Sequence, residues 1–364
     1  MVDLNRKTLR DVDLIVLLAP IALTVFGCIG IYSTAPGTDF WKKQLIFLFI
    51  GIAVALVLTF TDYRKILVNV APFFYIAVML LLVLVLSPLG VKVHGNTAWL
   101  RLAGFSLQPS EFAKLATILM LARYATHLRG ESLTLKDMAI MAGIVIPPAI
   151  LVFAEHDTGT TLTFGAILAT FFFLSGVRKR YLAAGVAAIV IALVGIYPHL
   201  RGYQRQRIDV ILHPENADPR GFGYQTIQSV IAVGSGGPFG KGLTKGTQGR
   251  LGFLPNAHTD FIGASVAEET GLAGILLMMA LYLLFIWRMI SIAQGSRDRA
   301  GALMIMGLIG LLAFHILCNL GMVVGLMPIM GIPLPLMSQG GTAVIAVFAG
   351  VGLALSVRMR RFVN

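Results

Sequence analysis

Charge is scarce in this sequence. Of its 364 residues only 13% are Asp, Glu, Lys or Arg, against about a quarter in soluble domains. That excludes an ordinary water-soluble enzyme, a soluble glycosidase with paired carboxylates included. Acid is scarcer than base, 17 Asp and Glu against 29 Lys and Arg, for a net charge of +12. Cysteine is scarcer still. Cys28 and Cys318 both lie inside apolar runs, so neither a structural disulfide nor metal chemistry through sulfur is expected. The chain also lacks a low-complexity tail, a convincing internal repeat and the paired broken helices of an inverted-repeat transporter.

What fills the space is hydrophobic, 57% of the residues, with a mean hydropathy of +0.83. Ten apolar runs are long enough to cross a bilayer as helices, at about 14–34, 44–60, 66–87, 111–127, 138–154, 160–176, 181–198, 261–287, 301–326 and 341–357. The first is too long for a signal peptide's apolar region and is followed by further spans, so it is expected to be retained. The reading is an all-α polytopic membrane protein of about ten transmembrane helices. It forms a single domain over 1–364, with one large extracytoplasmic loop, 199–260, between the seventh and eighth.

With the N-terminus in the cytoplasm, Arg6, Lys7, Arg10, Arg64, Lys65, Arg178, Arg288, Arg299, Arg358 and Arg361 fall inside, while the short outer loops hold only Lys42, Lys43, Lys92 and Arg101. That asymmetry obeys the positive-inside rule and puts both termini in the cytoplasm. Much of the net charge is thus a topology signal, and no nucleic-acid partner is expected.

Against this background the few polar residues at outer helix ends stand out. Asp260, in FLPNAHTDFIGASVAEETG, lies where the large loop enters the eighth span. It can cap that helix, or Thr259 can do so and leave Asp260 for chemistry. Glu268 is about 12 Å further along, at membrane depth, where an ionisable group needs a partner; a structural or pairing role is expected for it and for Glu269. In QPSEFAKLA, Glu111 and Lys114 are three apart on one helix face. A carboxylate beside an ammonium stays ionised, which suits a proton acceptor or a metal ligand. The large loop carries Arg201, Arg205, Arg207, Lys241, Lys245 and Arg250, several flanked by glycine. Such cations either bind a diphosphate together with backbone N–H groups or lie solvated near headgroups. GYQTIQSVIAVGS within that loop has helical apolar spacing and could lie along the membrane surface. EHDTGTT, with Asp157, and MPIMGIPLPLMSQGGT, with Ser338, bring further polar groups to outer helix ends. The second is so rich in Pro and Gly that only a sheltered cavity would tolerate it at membrane depth. Together these elements predict a site that opens outward.

The motifs GYQTIQS, AVGSGG, GKGLTKGTQ, FLPNAHTDFI, AEETGLAG, QPSEFAKL and NLGMVVGLMPIMGIPLP run over nearly the whole chain. In combination they resemble the SEDS family of bacterial cell-wall proteins, its RodA branch more than its FtsW branch. The resemblance implies a polytopic glycosyltransferase of the bacterial cytoplasmic membrane that polymerises lipid II into glycan strands during elongation and shape maintenance. It implies that Asp260 matches the essential acid, and Glu111 and Lys114 the acidic and basic pair. A class B penicillin-binding protein and other elongation-complex membrane proteins are the implied partners. Two positions depart from the family pattern. Ala98 precedes Trp99 where an arginine is common, and Gln339 stands where many relatives carry tyrosine, so no role is carried to either.

The expected chemistry joins the two lines. Asp260 acts as general base for the 4-hydroxyl of an acceptor sugar, or ligates a divalent cation, Mg or Mn, that steadies the departing diphosphate. No organic cofactor is expected. Arg205, Arg207, Lys241, Lys245, Arg250, His258, Thr259, Asp157 and Ser338 are the expected substrate contacts. A lipid II flippase and a non-catalytic scaffold of the elongation machinery are the rival readings.

Overall fold

A computed structural model describes residues 13–93, 96–102, 105–128, 132–196 and 223–361. Arg201, Arg205 and Arg207 lie outside the described residues. Each of the ten expected segments is helical: α1 (Leu14–Thr34), α2 (Phe40–Phe60), α3 (Tyr63–Val85, with a π-helical turn at Ile66–Val70), α4 (Pro109–Ala125), α5 (Leu135–Ala154), α6 (Thr158–Leu174), α7 (Lys179–Ile196), α9 (Ile262–Gln294), α10 (Arg299–Val323) and α11 (Gly341–Met359). The GYQTIQSVIAVGS stretch is α8 (Gly223–Ser235), and its buried Ser229 donates to the Val323 carbonyl at 2.7 Å. Among the described residues, seven helices are by themselves long and apolar enough to cross a membrane. The chain is a multi-pass membrane protein.

Several helix starts are written in the local sequence. Asp13 caps α1 through Ile15 N–H at 3.1 Å, Thr134 and Asp137 form a capping box on α5, and Asp298 caps α10 through Gly301 N–H at 2.7 Å. One addition to the helical reading is a small antiparallel sheet in the loop before α4: β1 (Gly90–Val93), β2 (Asn96–Leu102) and β3 (Phe105–Leu107), in that order. Leu100 on β2 faces Gly90 on β1 and Leu107 on β3. The alternation Ala98, Leu100 inward and Arg101 outward is a strand pattern too short to register beside the apolar runs.

Lipid offers helices no hydrophobic drive to associate, so close approach and polar ties hold the bundle. A Cβ on Gly51 or Gly352 would sit 3.1 Å from Phe348 or 2.4 Å from the Ala55 carbonyl, which is why α2 and α11 lie along each other. The opposite face is apolar and open: Phe49, Phe73 and Leu80 are 69%, 74% and 66% exposed. Depth in the membrane is fixed by two ties. At one end Asp13 pairs with Arg288 and Arg358; at the other Ser33 donates to Glu269. Between them α1, 21 residues long, covers about 31 Å, and Glu269 to Arg288 about 28 Å, the thickness of the hydrocarbon core. Glu269 thus lies level with the end of α1, about one hydrocarbon thickness from Arg288. A break at Gly271 (φ 66°) separates those turns from the rest of the helix.

Candidate active site

Pro109 occupies the first turn of α4, where its missing N–H costs nothing. One residue pair on, the Lys114 ammonium donates to Glu111 Oε1 at 2.8 Å, with both side chains buried. Lys114 Nζ also lies 3.3 Å from His315 Nε2 on α10. His315 Nδ1 is 3.3 Å from the Pro333 carbonyl, an acceptor only, so the proton belongs on Nδ1 and Nε2 is left to accept from Lys114. The result is a chain running Glu111–Lys114–His315–Pro333.

Pro333 belongs to the segment between α10 and α11, the Pro- and Gly-rich stretch that the sequence requires to be sheltered. Its polar groups are met from three helices, α2, α9 and α10, and from the residues before α9. Asn319 Nδ2 donates to the carbonyls of both Ile332 and Asp260 at 2.8 Å. Tyr282 donates to the Pro335 carbonyl. Gln44 donates to the Ser338 carbonyl at 3.0 Å and accepts from Gly340 N–H at 3.1 Å. Ser338 Oγ donates to the Thr259 carbonyl at 2.6 Å, and Gln339 N–H to that of His258 at 3.0 Å. Gly159 makes room for the segment, since a Cβ there would lie 2.1 Å from the Met330 carbonyl.

Asp260 thus sits half-buried against this segment, its Oδ2 4.0 Å from where a Cβ on Gly331 would stand. The N-cap of α9 is Phe261, a residue with no side-chain acceptor. His258, two residues earlier, stacks on Phe40 at 5.2 Å between ring centroids. Asp157 caps α6, accepting from Thr160 N–H at 2.9 Å and Thr160 Oγ1 at 2.8 Å. Burial pushes its carboxyl above the usual range, against the pull of those bonds and of the Lys114 ammonium. A cavity of about 50 Å³ runs from Glu111, Lys114, His315 and Ser338 down to Phe285 and Met289.

The structure therefore draws Asp260, Glu111, Lys114, His258, Thr259, Ser338 and Asp157 around one segment. Of the loop cations Lys241, Lys245 and Arg250, Lys241 meets α9 elsewhere, about two turns past its start. Lys241 Nζ donates to Glu268 Oε1 at 2.6 Å, and the same carboxylate accepts from Thr247 N–H and Oγ1, both at 2.8 Å, and from Gln248 N–H. Arg250 donates to the Thr244 carbonyl; Lys245 is exposed. Sequence reasoning missed His315, Asn319 and Gln44. Two polar residues four apart in the apolar run of α10 were the available signal. It missed Glu155 as well, fully buried beside Asp157 with no hydrogen-bond partner for either oxygen. Burial first, and then the Asp157 charge, push its pKa up to about 8.

Comparison with known proteins bears on this arrangement. The FtsW/RodA/SpoVE family, described as cell cycle protein, matches residues 12–362. The peptidoglycan glycosyltransferase MrdB of Escherichia coli K12 is 39% identical over 364 residues, 98% of this chain and 97% of that one. The probable peptidoglycan glycosyltransferase FtsW of Geobacter metallireducens is 34% identical over 370 residues, 98% and 97%. Among solved structures, a chain of a peptidoglycan synthase complex that coordinates polymerization and crosslinking is similar, with a TM-score of 0.83, 32% identity and coverage of 97% and 99%. The rod shape determining protein RodA of Thermus thermophilus gives 0.72, 28%, 97% and 98%. With a family match over nearly its whole length and a relative 39% identical end to end, the chain belongs to the FtsW/RodA/SpoVE family.

Proposed function

We propose that this chain is a peptidoglycan glycosyltransferase that polymerises lipid II. The acceptor's 4-hydroxyl attacks the anomeric carbon of the donor, a C–O bond forms, the bond to the diphosphate breaks, and undecaprenyl pyrophosphate leaves. Asp260 takes the hydroxyl proton. The observation that carries the reading is the Asn319 clamp. It ties the Asp260 backbone to Ile332, one residue from the Pro333 end of the Glu111–Lys114–His315 chain. The Asp260 backbone is thereby held relative to a buried, partnered ammonium, and such preorganisation lowers reorganisation at the reacting centre. His258, Thr259, Ser338 and Asp157 shape the walls around it. Lys241 is engaged with Glu268, so Lys245 and Arg250 are the freer candidates of that loop for the diphosphate.

Among the described residues no three His, Cys, Asp or Glu side chains gather as a metal cage. A lone carboxylate fits Mg²⁺ or Mn²⁺ of the kind shared with substrate phosphates. Asp260 would hold such an ion, and it would supply charge neutralisation at the diphosphate.

In this reading the Asp13 end lies in the cytoplasm and the Asp260 end at the outer face of a bacterial cytoplasmic membrane, with both termini inside, supported by the basic residues of the Asp13 end. A class B penicillin-binding protein and other elongation-complex membrane proteins are the partners in this reading, supported by the similar chain's place in a synthase complex. The test is lipid II polymerisation by the purified chain with that partner, wild type against Asp260→Asn. The reading expects glycan strands to vanish while the variant stays folded and partner-bound. Strands made at the wild-type rate would overturn it.

A further inference from the structure

The break in α9 is filled by another part of the chain. An uninterrupted helix would bond Leu272 N–H to the Glu268 carbonyl and Ala273 N–H to that of Glu269. Instead Leu272 and Ala273 donate to the carbonyls of Gly237 and Pro238 at 2.9 and 3.0 Å, and the Glu268 and Glu269 carbonyls accept from Lys241 and Gly242, both at 3.0 Å. Residues 237–242 are spliced into the helix ladder. A Cβ on Gly271 would lie 2.3 Å from Gly240 N, so glycine is required where the two backbones meet. The Lys241–Glu268 ion pair and the bonds from Thr247 and Gln248 fasten the rest of the loop.

A loop held this firmly displays Phe239, 81% exposed, with Leu243 at 52%. Three features locate them. The Ser33–Glu269 bond puts the splice at the end of α1, where the hydrocarbon core ends. Tyr32, 54% exposed and edge-on to Trp41 at 5.8 Å, marks the same level as an aromatic belt residue. The lipid-facing stripe of α9 begins at Leu272, 58% exposed and bonded to Gly237, and continues through Leu276 at 57%. The apolar side chains of the loop extend that stripe upward, with the exposed Lys245 and Arg250 close by in sequence.

We propose that the 237–243 loop is an interfacial anchor whose occupant is the bilayer itself: Phe239 and Leu243 enter the acyl–headgroup boundary at the Asp260 end. The anchor pins the broken helix, and with it Asp260, at a fixed height over the membrane.

The test uses the full chain in phosphatidylethanolamine–phosphatidylglycerol vesicles. A nitroxide is attached to Phe239→Cys; Cys28 and Cys318 are 5% exposed and stay unlabelled. Collision with oxygen, concentrated in lipid, is compared with collision with a water-soluble nickel chelate. Pro36→Cys, in the exposed turn between α1 and α2, is the aqueous reference. The anchor requires oxygen to exceed nickel at 239, reversing the order at 36, and Leu243→Cys to read the same should the first variant fold poorly. A water-like profile at both positions overturns the proposal and leaves the patch to a protein partner. Exclusion of both colliders overturns it too, in favour of self-association.

Discussion

Replacing Glu155 by Gln should change how stability depends on pH, and the size of the effect follows from burial. In the folded protein burial pushes this carboxyl up to about 8 from an ordinary 4.5. Below pH 4.5 both folded and unfolded states hold the proton. Between 4.5 and 8 the unfolded chain releases it and the folded one keeps it, so stability falls by about 1.4 kcal/mol per pH unit. At pH 7.5 the accumulated loss is about 4 kcal/mol, and it levels off above 8. Glutamine keeps the neutral shape and cannot ionise, so this loss disappears, whereas the unpaired polar atoms remain at every pH. The assay is the thermal midpoint of both proteins in detergent from pH 4.5 to 8.5. All other titrating groups are shared and cancel in the difference, apart from Asp157, whose coupling to Glu155 the substitution also removes. The two curves should start together or with a constant offset and diverge steadily in favour of Glu155→Gln. Parallel curves would refute the reasoning, because they would mean that Glu155 is already ionised, or hydrated, in the folded state.

Two more outcomes follow from the same packing. Lys114→Met strands Glu111 in a buried site and should cost about 3–5 kcal/mol, part of which the double variant with Glu111→Gln regains; thermal midpoints as low for the double as for the single variant would count against the pairing. Gly159→Ala places a methyl 2.1 Å from the Met330 carbonyl, so the 330–340 segment must shift at about 1–3 kcal/mol. Glycan synthesis should fall with it, and a variant as active and stable as wild type would contradict the contact.

The helices were legible because apolar length alone specifies them, and the Glu111–Lys114 pair because both partners share one helix face. Spacing could not reveal Glu155, whose burial depends on residues distant in sequence. Nor could it reveal that Asn319 binds two carbonyls, Asp260 and Ile332, that lie 72 residues apart in the chain. The pairing expected of Glu268 is met by Lys241, 27 residues before it in the chain, a partner that spacing along one helix could not name. The break of α9 at Gly271 was equally invisible, because it depends on a loop that packs into it. Glycine density predicted a phosphate-seeking loop, and the same glycines serve to let Gly240 approach Gly271.

The segment from Met330 to Gly340 also has a place in time. It emerges from the ribosome after the helices that grip it, and it is the piece through which Gln44, Tyr282 and the α10 pair His315 and Asn319 meet. Until it is threaded, Gln44 and Tyr282 lack the carbonyls they grip, and His315 lacks the acceptor that fixes its tautomer. A chain stalled or cleaved before residue 340 would be inserted, largely helical and inert. The order of synthesis thus withholds a lipid-consuming activity until that segment has been delivered to the membrane.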